Sequence, residues 1–148
     1  MVVVEYDGGN EPELILVLES KNKSCVRFCW GFPGGGIDGE ESQENAGQRE
    51  LEEETGLSFN ITEKDLVAEL PVSDDDDRSR TAYVSVYYIF LRKRLQLRPG
   101  PDQLKAIWAS FSFIDRIIDG QDEYPMFFNH QRILDFLKHQ RIFRFQRS

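Results

Sequence analysis

The amino-acid sequence predicts an α/β protein in which strands interleaved with two helices form a sandwich on a mixed β-sheet. Two observations support this fold class. Segments rich in β-branched and aromatic residues alternate with segments that carry helix caps and the apolar spacing of helices. The chain also has 148 residues, 40% of them hydrophobic, and a chain of this size buries roughly 68–70% of its unfolded surface. We therefore expect a single domain over residues 1–148.

Five segments have the composition of strands. Glu13–Glu19 has an apolar middle, and Val26–Trp30 runs into Gly31–Gly36, where glycines allow the backbone to approach another group closely. The other three predicted strands are Val67–Val72, Ala82–Lys93 and Ile107–Phe113. The apolar Val2–Val4 has two interpretations, an edge strand that pairs two copies into a homodimer or a strand buried in the chain's own sheet.

Two further segments predict helices. The first follows Ser42, a suitable N-cap, has Glu44 in its first turn and ends before Gly56, a residue typical of the position after a helix. The second extends from Met126 to about His139. Its residues expected toward the core are Phe127, Ile133, Leu134 and Leu137.

Charge and composition exclude several classes of function. The chain has 26 Asp and Glu against 18 Lys and Arg, a net charge of −8, whereas nucleic-acid binding requires a basic face. The longest apolar run, Leu14–Leu18, is too short to cross a bilayer, and Met1–Glu5 lacks the basic region of a secretory signal. Cys25 and Cys29 lack the further ligands of a zinc site and suit a reducing compartment. We expect a soluble cytoplasmic protein without a nucleic-acid or membrane partner.

An acidic face of the first helix carries the strongest functional signal. At about 100° per residue, Glu50, Glu53 and Glu54 fall within roughly one 100° arc of the helix. Like-charge pairs at this spacing cost an isolated helix about 0.2–0.5 kcal/mol each. A cation should offset this repulsion, and carboxylate oxygens suit Mg²⁺ or Mn²⁺. Arg49, four residues before Glu53, is placed to pair with that carboxylate and orient it.

Most glutamate-rich helices are solvated faces, so the three glutamates alone would not decide between the two interpretations. The longer segment Gly34–Leu57 adds glycines at set distances on both sides of the acidic helix. This segment resembles the Nudix box, G-x5-E-x7-R-E-U-x-E-E-x-G-U with U apolar, at every fixed position. The matching residues are Gly35, Glu41, Arg49, Glu50, Leu51, Glu53, Glu54, Gly56 and Leu57.

The resemblance implies a Nudix-type α/β/α sandwich with a loop–helix–loop catalytic motif, and hydrolysis of a nucleoside diphosphate linked to another moiety. It also implies that Glu53 and Glu54 bind the metal and that Glu50 is a further ligand or the base that activates water. Gly34 would lend a carbonyl to the metal, and Arg49 would orient a glutamate. Glu41 would brace the motif or contact a metal through water. Glu40 departs from the Gly that many members have there, which adds charge and alters the turn without changing the motif proper.

Three downstream segments resemble the branch of the family that hydrolyses ADP-ribose. They are Asp77–Thr81, Gly100–Trp108 and Met126–Leu134. The resemblance makes Arg78 and Arg80 candidates for phosphate binding, because guanidinium groups bind phosphate bidentately. Phe127, with Phe128 and Tyr124 as alternatives, is a candidate platform for adenine. Asp102 is the candidate for a further carboxylate ligand from the late loop.

The leading hypothesis is Mg²⁺-dependent hydrolysis of ADP-ribose to AMP and ribose 5-phosphate, with Mn²⁺ as an alternative ion and a small-molecule nucleotide derivative as the partner. Attack by water at phosphorus requires no covalent intermediate. One alternative is a nucleoside triphosphate pyrophosphohydrolase that clears abnormal nucleotides. An alternative from another class is a non-catalytic nucleotide-sensing regulatory module on the same fold.

Overall fold

A computed structural model describes residues 1–20, 27–73 and 81–147. Within these ranges, six strands form one mixed sheet. Their bounds are β1 Val2–Tyr6, β2 Glu13–Glu19, β3 Cys29–Gly31, β4 Leu66–Ser73, β5 Thr81–Leu91 and β6 Gln103–Ser110. The strand order is β3-β2-β1-β5-β4, with β6 paired to β2. The β1–β5 pair is parallel and the other pairs are antiparallel.

Strand β1 lies inside the sheet. It pairs with β2 through Glu5 opposite Leu14, and with β5 along its whole length. Val2, Val3 and Val4 are fully buried. The interpretation of Val2–Val4 as an edge strand that pairs two copies is therefore wrong, because both hydrogen-bonding edges of β1 have partners within the chain. The alternative, burial in the chain's own sheet, is correct.

Three α-helices flank the sheet in the described ranges: α1 Gln43–Thr55, α2 Phe111–Ile118 and α3 Phe128–His139. Helix α1 has the predicted caps, since the Ser42 side chain accepts a hydrogen bond from the Asn45 N–H at 3.1 Å and Gly56 adopts a left-handed conformation with φ 77°. None of the helices in these ranges is long and apolar enough to span a membrane.

Helix α2 corrects the prediction of a strand over Ile107–Phe113. Strand β6 ends at Ser110, whose hydroxyl accepts a hydrogen bond from the Phe113 N–H at 3.1 Å and begins α2. An N-cap serine thus overrides the β propensity of the aromatic residues that follow. Helix α3 begins two residues later than expected, because Met126 pairs with Trp30 of β3 in a parallel bridge.

The core has two parts, one on each face of the sheet, as the alternation of side chains along a strand requires. Leu51 of α1 and Leu57 pack with Val2, Val4, Ile15 and Tyr87 on one face. On the other face, residues of α2 and α3 pack with the opposite side of the strands. This second cluster includes Val3, Leu14, Leu16, Ile114, Ile117, Ile133, Leu134 and Leu137. The predicted α/β/α sandwich on a mixed sheet is confirmed.

A buried carboxylate ties the C-terminal turn to the middle of the sheet. Glu5 on β1 is 1% exposed. Its Oε1 accepts hydrogen bonds from the Tyr88 hydroxyl at 2.6 Å and from the Arg144 N–H at 2.8 Å. Burial, and then the hydrogen bond to Glu5, raise the pKa of Tyr88 above its ordinary value, so the hydroxyl remains a donor.

We expect Tyr88→Phe to lower the free energy of unfolding by about 0.5–1.5 kcal/mol, because it removes a hydrogen bond to a buried carboxyl group. Urea denaturation at pH 7 measures the change. Tyr83→Phe is the matched control, since Tyr83 on the same strand is 76% exposed. Equal stability of the Tyr88 and Tyr83 variants would contradict the role of this hydroxyl.

Candidate active site

Hydrogen bonds of its backbone hold the glycine segment between β3 and α1 to strand β1 on one side and to the acidic helix on the other. The Val2 N–H donates to the Pro33 carbonyl at 2.8 Å, which anchors the segment to the central strand. The next residue, Gly34, donates its N–H to Glu54 Oε2 at 2.8 Å. Glu54 is 4% exposed. A buried carboxylate on α1 is thus fixed by the loop that precedes the helix.

At Gly35 the backbone lies close to the carboxylate of a second glutamate, Glu50. A Cβ atom added at Gly35 would lie 2.4 Å from Glu50 Oε1. No side chain can occupy that space without displacing the carboxylate. The loop and the helix therefore present Glu50 and Glu54 toward the same short stretch of backbone, Gly34–Gly35.

Arg49 connects the remaining acidic groups. Its Nη2 lies 2.8 Å from Glu41 Oε1, and its Nη1 lies 2.9 Å from Glu50 Oε1 and 3.3 Å from Glu53 Oε2. The guanidinium also donates to the Gly36 carbonyl at 3.0 Å and lies 3.4 Å from Asp38. The expected Arg49–Glu53 pair is present, but the Glu41 contact is shorter and uses two guanidinium nitrogens. One cation here faces four carboxylates.

The hydrogen bonds of this cluster shift the pKa values of its members in opposite directions. The hydrogen bond to Glu41 is the largest cause that raises the pKa of Arg49, followed by its contacts with Glu50. The hydrogen bond from Arg49, and then that from the Asp38 N–H, lower the pKa of Glu41. Both residues therefore stay charged at neutral pH.

The donors on α1 fit a divalent cation in chemical type. Glu50, Glu53 and Glu54 supply hard carboxylate oxygens, the ligands that Mg²⁺ and Mn²⁺ prefer. In the part of the chain that the structure describes, no three His, Cys, Asp or Glu side chains are close enough to hold an ion as they stand. Arg49 bonds to Glu50 and Glu53, and the Glu53 side chain is 57% exposed. The exposed Glu53 side chain can therefore rotate away from the guanidinium.

The late loop reaches the same helix, although Asp102 itself is exposed. The Arg98 N–H donates to the Thr55 carbonyl at 2.8 Å, and Gly100 lies directly against the Glu53 carbonyl. Next to Asp102, the Gln103 side-chain amide donates to Glu19 Oε2 at 2.8 Å. Glu19, at the end of β2, is 5% exposed. The sequence does not indicate this burial, because a glutamate that ends an apolar strand usually faces solvent.

A cavity of about 230 Å³ adjoins the glycine segment. Gly34 and Gly35 form one side, and Phe127 and His130 at the start of α3 form another. Phe128, 70% exposed, lies at its rim with Arg132 against its ring at 5.9 Å. Tyr124 instead packs edge-on against Phe28. Arg78 and Arg80 lie outside the described residues.

A second cavity is larger, at about 850 Å³, but it lies along β6. Its lining includes Arg94, Trp108 and Arg116 and none of the glutamates of α1. The smaller cavity also lacks the glutamates of α1, but it is bordered by Gly34 and Gly35, which contact Glu54 and Glu50. A further cavity of about 440 Å³ is lined by Arg49 and Glu53 themselves.

Residues 1–128 match the family described as NUDIX domain. The chain belongs to this family. The predicted membership is thus confirmed. The relatives below carry the names of hydrolases, which agrees with the prediction of a Nudix hydrolase. The ADP-ribose pyrophosphatase of Methanocaldococcus jannaschii is 25% identical over 91% of this chain and 73% of that protein. The RNA pyrophosphohydrolase of Erythrobacter litoralis is 44% identical over 36% of this chain. The chain spans 29% of that protein and 16% of a Caenorhabditis elegans relative.

Solved structures show the same fold. The NUDIX domain of Shewanella oneidensis NrtR, complexed with ADP ribose, has a TM-score of 0.70 at 18% identity, and the match covers 94% of this chain and 84% of that one. A bifunctional NMN adenylyltransferase/ADP ribose pyrophosphatase of Francisella tularensis, complexed with AMP and a Mn ion, has a TM-score of 0.65 at 22% identity. That match covers 94% of this chain and 40% of the other.

We expect Gly35→Ala to destabilise the protein by about 0.5–1.5 kcal/mol, the usual net contribution of a hydrogen bond, because moving the end of the flexible Glu50 side chain would break its bond with Arg49. The added methyl group would displace the Glu50 carboxylate. Gly36→Ala is the matched control, because nothing lies within 4 Å of a Cβ added there. Thermal and urea denaturation measure both variants, and equal losses would contradict the close packing of Gly35 on Glu50.

The Glu41–Arg49 contact predicts a pH dependence of stability. A carboxyl whose pKa is lower in the folded than in the unfolded protein stabilises the fold above the unfolded pKa, and this contribution is lost as the pH falls through the folded pKa. We expect the unfolding free energy of the wild type to fall more steeply below about pH 4 than that of Glu41→Gln. Urea denaturation from neutral to acidic pH tests this, with Glu40→Gln as the control. Parallel curves for wild type and Glu41→Gln would contradict the pairing.

Proposed function

We propose that this chain hydrolyses the pyrophosphate bond of a nucleoside diphosphate linked to another moiety, with Mg²⁺ as the ion and ADP-ribose as the lead substrate. The products would be AMP and ribose 5-phosphate. The observation that carries the proposal is the juxtaposition of Glu50 and Glu54 with the Gly34–Gly35 backbone, beside a cavity that Phe127 and His130 also line. The family match over residues 1–128 supports it.

Glu50, Glu53 and Glu54 are the proposed metal ligands, with the Gly34 carbonyl and Asp102 as further candidates. When bound, a divalent ion neutralises the charge of the pyrophosphate and lowers the pKa of a coordinated water. The Gly34 N–H supports this assignment, because it holds the Glu54 carboxylate in one orientation at 2.8 Å. The Francisella complex with AMP and a Mn ion supports a divalent ion in the same fold.

The proposed reaction is an in-line substitution at phosphorus. A carboxylate of the cluster, with Glu50 as one candidate, accepts the proton of the attacking water. The water oxygen forms a new bond to phosphorus, the bridging P–O bond breaks, and the released phosphate oxygen keeps the electron pair. Arg49 takes part by holding Glu50, which keeps that carboxylate oriented while the reaction charge develops.

Phe127 is the proposed contact for the nucleobase. Its half-buried ring borders the cavity next to Gly34 and Gly35, so a base stacked there would leave its phosphates near α1. Arg78 and Arg80 are proposed phosphate contacts on the sequence alone, since guanidinium groups bind phosphate bidentately. The Shewanella and Francisella complexes with ADP ribose and AMP support a ligand of this class.

The decisive experiment is product analysis with Mg²⁺ and a panel of ADP-ribose, NADH, diadenosine polyphosphates, nucleotide sugars and nucleoside triphosphates. We expect conversion of ADP-ribose to AMP and ribose 5-phosphate, with at least about 10³-fold loss in Glu53→Gln combined with Glu54→Gln, because two charged ligands are removed at once. Glu52→Gln is the control, since Glu52 is exposed on the same helix.

Two other results would overturn parts of the proposal. A preference for triphosphates with release of pyrophosphate would retain the metal site and reject ADP-ribose as the substrate. Tight nucleotide binding without turnover of any compound would reject catalysis and favour a nucleotide-sensing module.

A further inference from the structure

His130 joins the start of α3 to the glycine segment. The residue is 5% exposed and borders the same cavity as Gly34 and Gly35. The backbone N–H of Phe32 donates to His130 Nδ1 at 2.9 Å. Because Nδ1 accepts a hydrogen bond, the proton of the neutral imidazole lies on Nε2. The sequence offered no sign of this contact, which spans 98 residues.

The ring also fits its surroundings closely. It stacks on Phe32 with ring centroids 6.0 Å apart and an interplanar angle of 7°. A Cβ atom added at Gly31 would lie 2.7 Å from Nδ1, so the strand can approach the imidazole only because residue 31 is glycine. The position of this imidazole is therefore set by contacts on both of its sides.

Two backbone hydrogen bonds reinforce the connection. The Trp30 N–H donates to the Pro125 carbonyl at 2.8 Å, and the Phe127 N–H donates to the Trp30 carbonyl at 2.9 Å. Trp30 and Phe32 are thus fixed to the segment that leads into α3. Two residues further on, Gly34 donates to the buried Glu54 carboxylate. The backbone path from the imidazole to the acidic helix is therefore short and hydrogen-bonded at each end.

We propose that His130 is a positioning residue for the acidic site: its Nδ1 fixes the Phe32 backbone and thereby sets the Gly34–Glu54 hydrogen bond. The inference rests on the proposed function for its kinetic consequences. It assigns the imidazole the role of a hydrogen-bond acceptor at a defined atom. His130 forms no bond to the reacting phosphorus in this role and acts through the loop.

Three substitutions separate this role from the filling of space. His130→Phe keeps an aromatic ring and removes the acceptor. His130→Asn removes the ring but places an oxygen at the δ position, where Nδ1 was, whereas His130→Gln places its oxygen at the ε position. A residue needed only for its volume would tolerate Phe best, whereas an acceptor at the δ position is retained only by Asn.

We expect His130→Phe to lower kcat about 10–100-fold, the usual effect of removing a group that orients a ligand of a catalytic ion. KM should change less than kcat, because Nδ1 is already occupied by the Phe32 N–H and is not available to the substrate. His130→Asn should recover more of the lost kcat than His130→Gln. His139→Phe is the matched control on the same helix, where His139 is exposed.

Nuclear magnetic resonance of the wild type tests the geometry without any activity. Long-range ¹H–¹⁵N spectra should show His130 as the Nε2–H tautomer, and hydrogen exchange should show a protected Phe32 amide whose exchange accelerates in His130→Phe. An inactive wild type would reject the proposed function and leave this readout in place. Any one of four results would overturn the positioning role. They are an Nδ1–H tautomer, a fully active His130→Phe, a change in KM alone, and equal activities of the Asn and Gln variants. Where His130→Phe does not fold, the Asn and Gln comparison decides.

Discussion

The concentration of negative charge on one face of α1 is the constraint on which the rest of this structure depends. On that helix, Glu53 and Glu54 follow Glu50 by three and four residues, and Arg49 contacts two of these glutamates together with Glu41 and Asp38. Among the described residues of this network, four carboxylates contact one guanidinium, so a divalent cation would relieve repulsion between them. An arrangement that costs stability and offers hard oxygen ligands is expected at a functional site.

The sheet and the helices on its far side position the loop that faces this acidic face. Strand β1 fixes Pro33 through the Val2 N–H, and α3 fixes Phe32 through His130. Gly34 and Gly35 then meet Glu54 and Glu50 with no side chain between them. Gly35 of the motif thus permits a close approach of backbone to carboxylate, which explains its fixed distance from Glu50.

The sequence predicted correctly those elements whose ends are marked by residues within or next to them. Helix α1 was predicted with both ends correct, because Ser42 and Gly56 cap it through contacts within a few residues. Strand β2 was also predicted with its bounds. The central place of β1, the start of α2 at Phe111 and the Phe32–His130 hydrogen bond depend on packing and on contacts between distant segments, which periodicity does not record. The same holds for the hydrogen bond between Glu19 and Gln103, because a glutamate at the end of a strand usually faces solvent.

A Mn²⁺ titration followed by the paramagnetic resonance signal of the free ion tests the central claim most directly, because it measures the acidic face without any assumption about substrate. The account predicts saturable binding in the wild type and in Glu52→Gln, and loss of that binding when Glu53 and Glu54 are both replaced by Gln. Binding of equal affinity in the wild type and in the double variant would contradict the claim that the α1 carboxylates form the metal site.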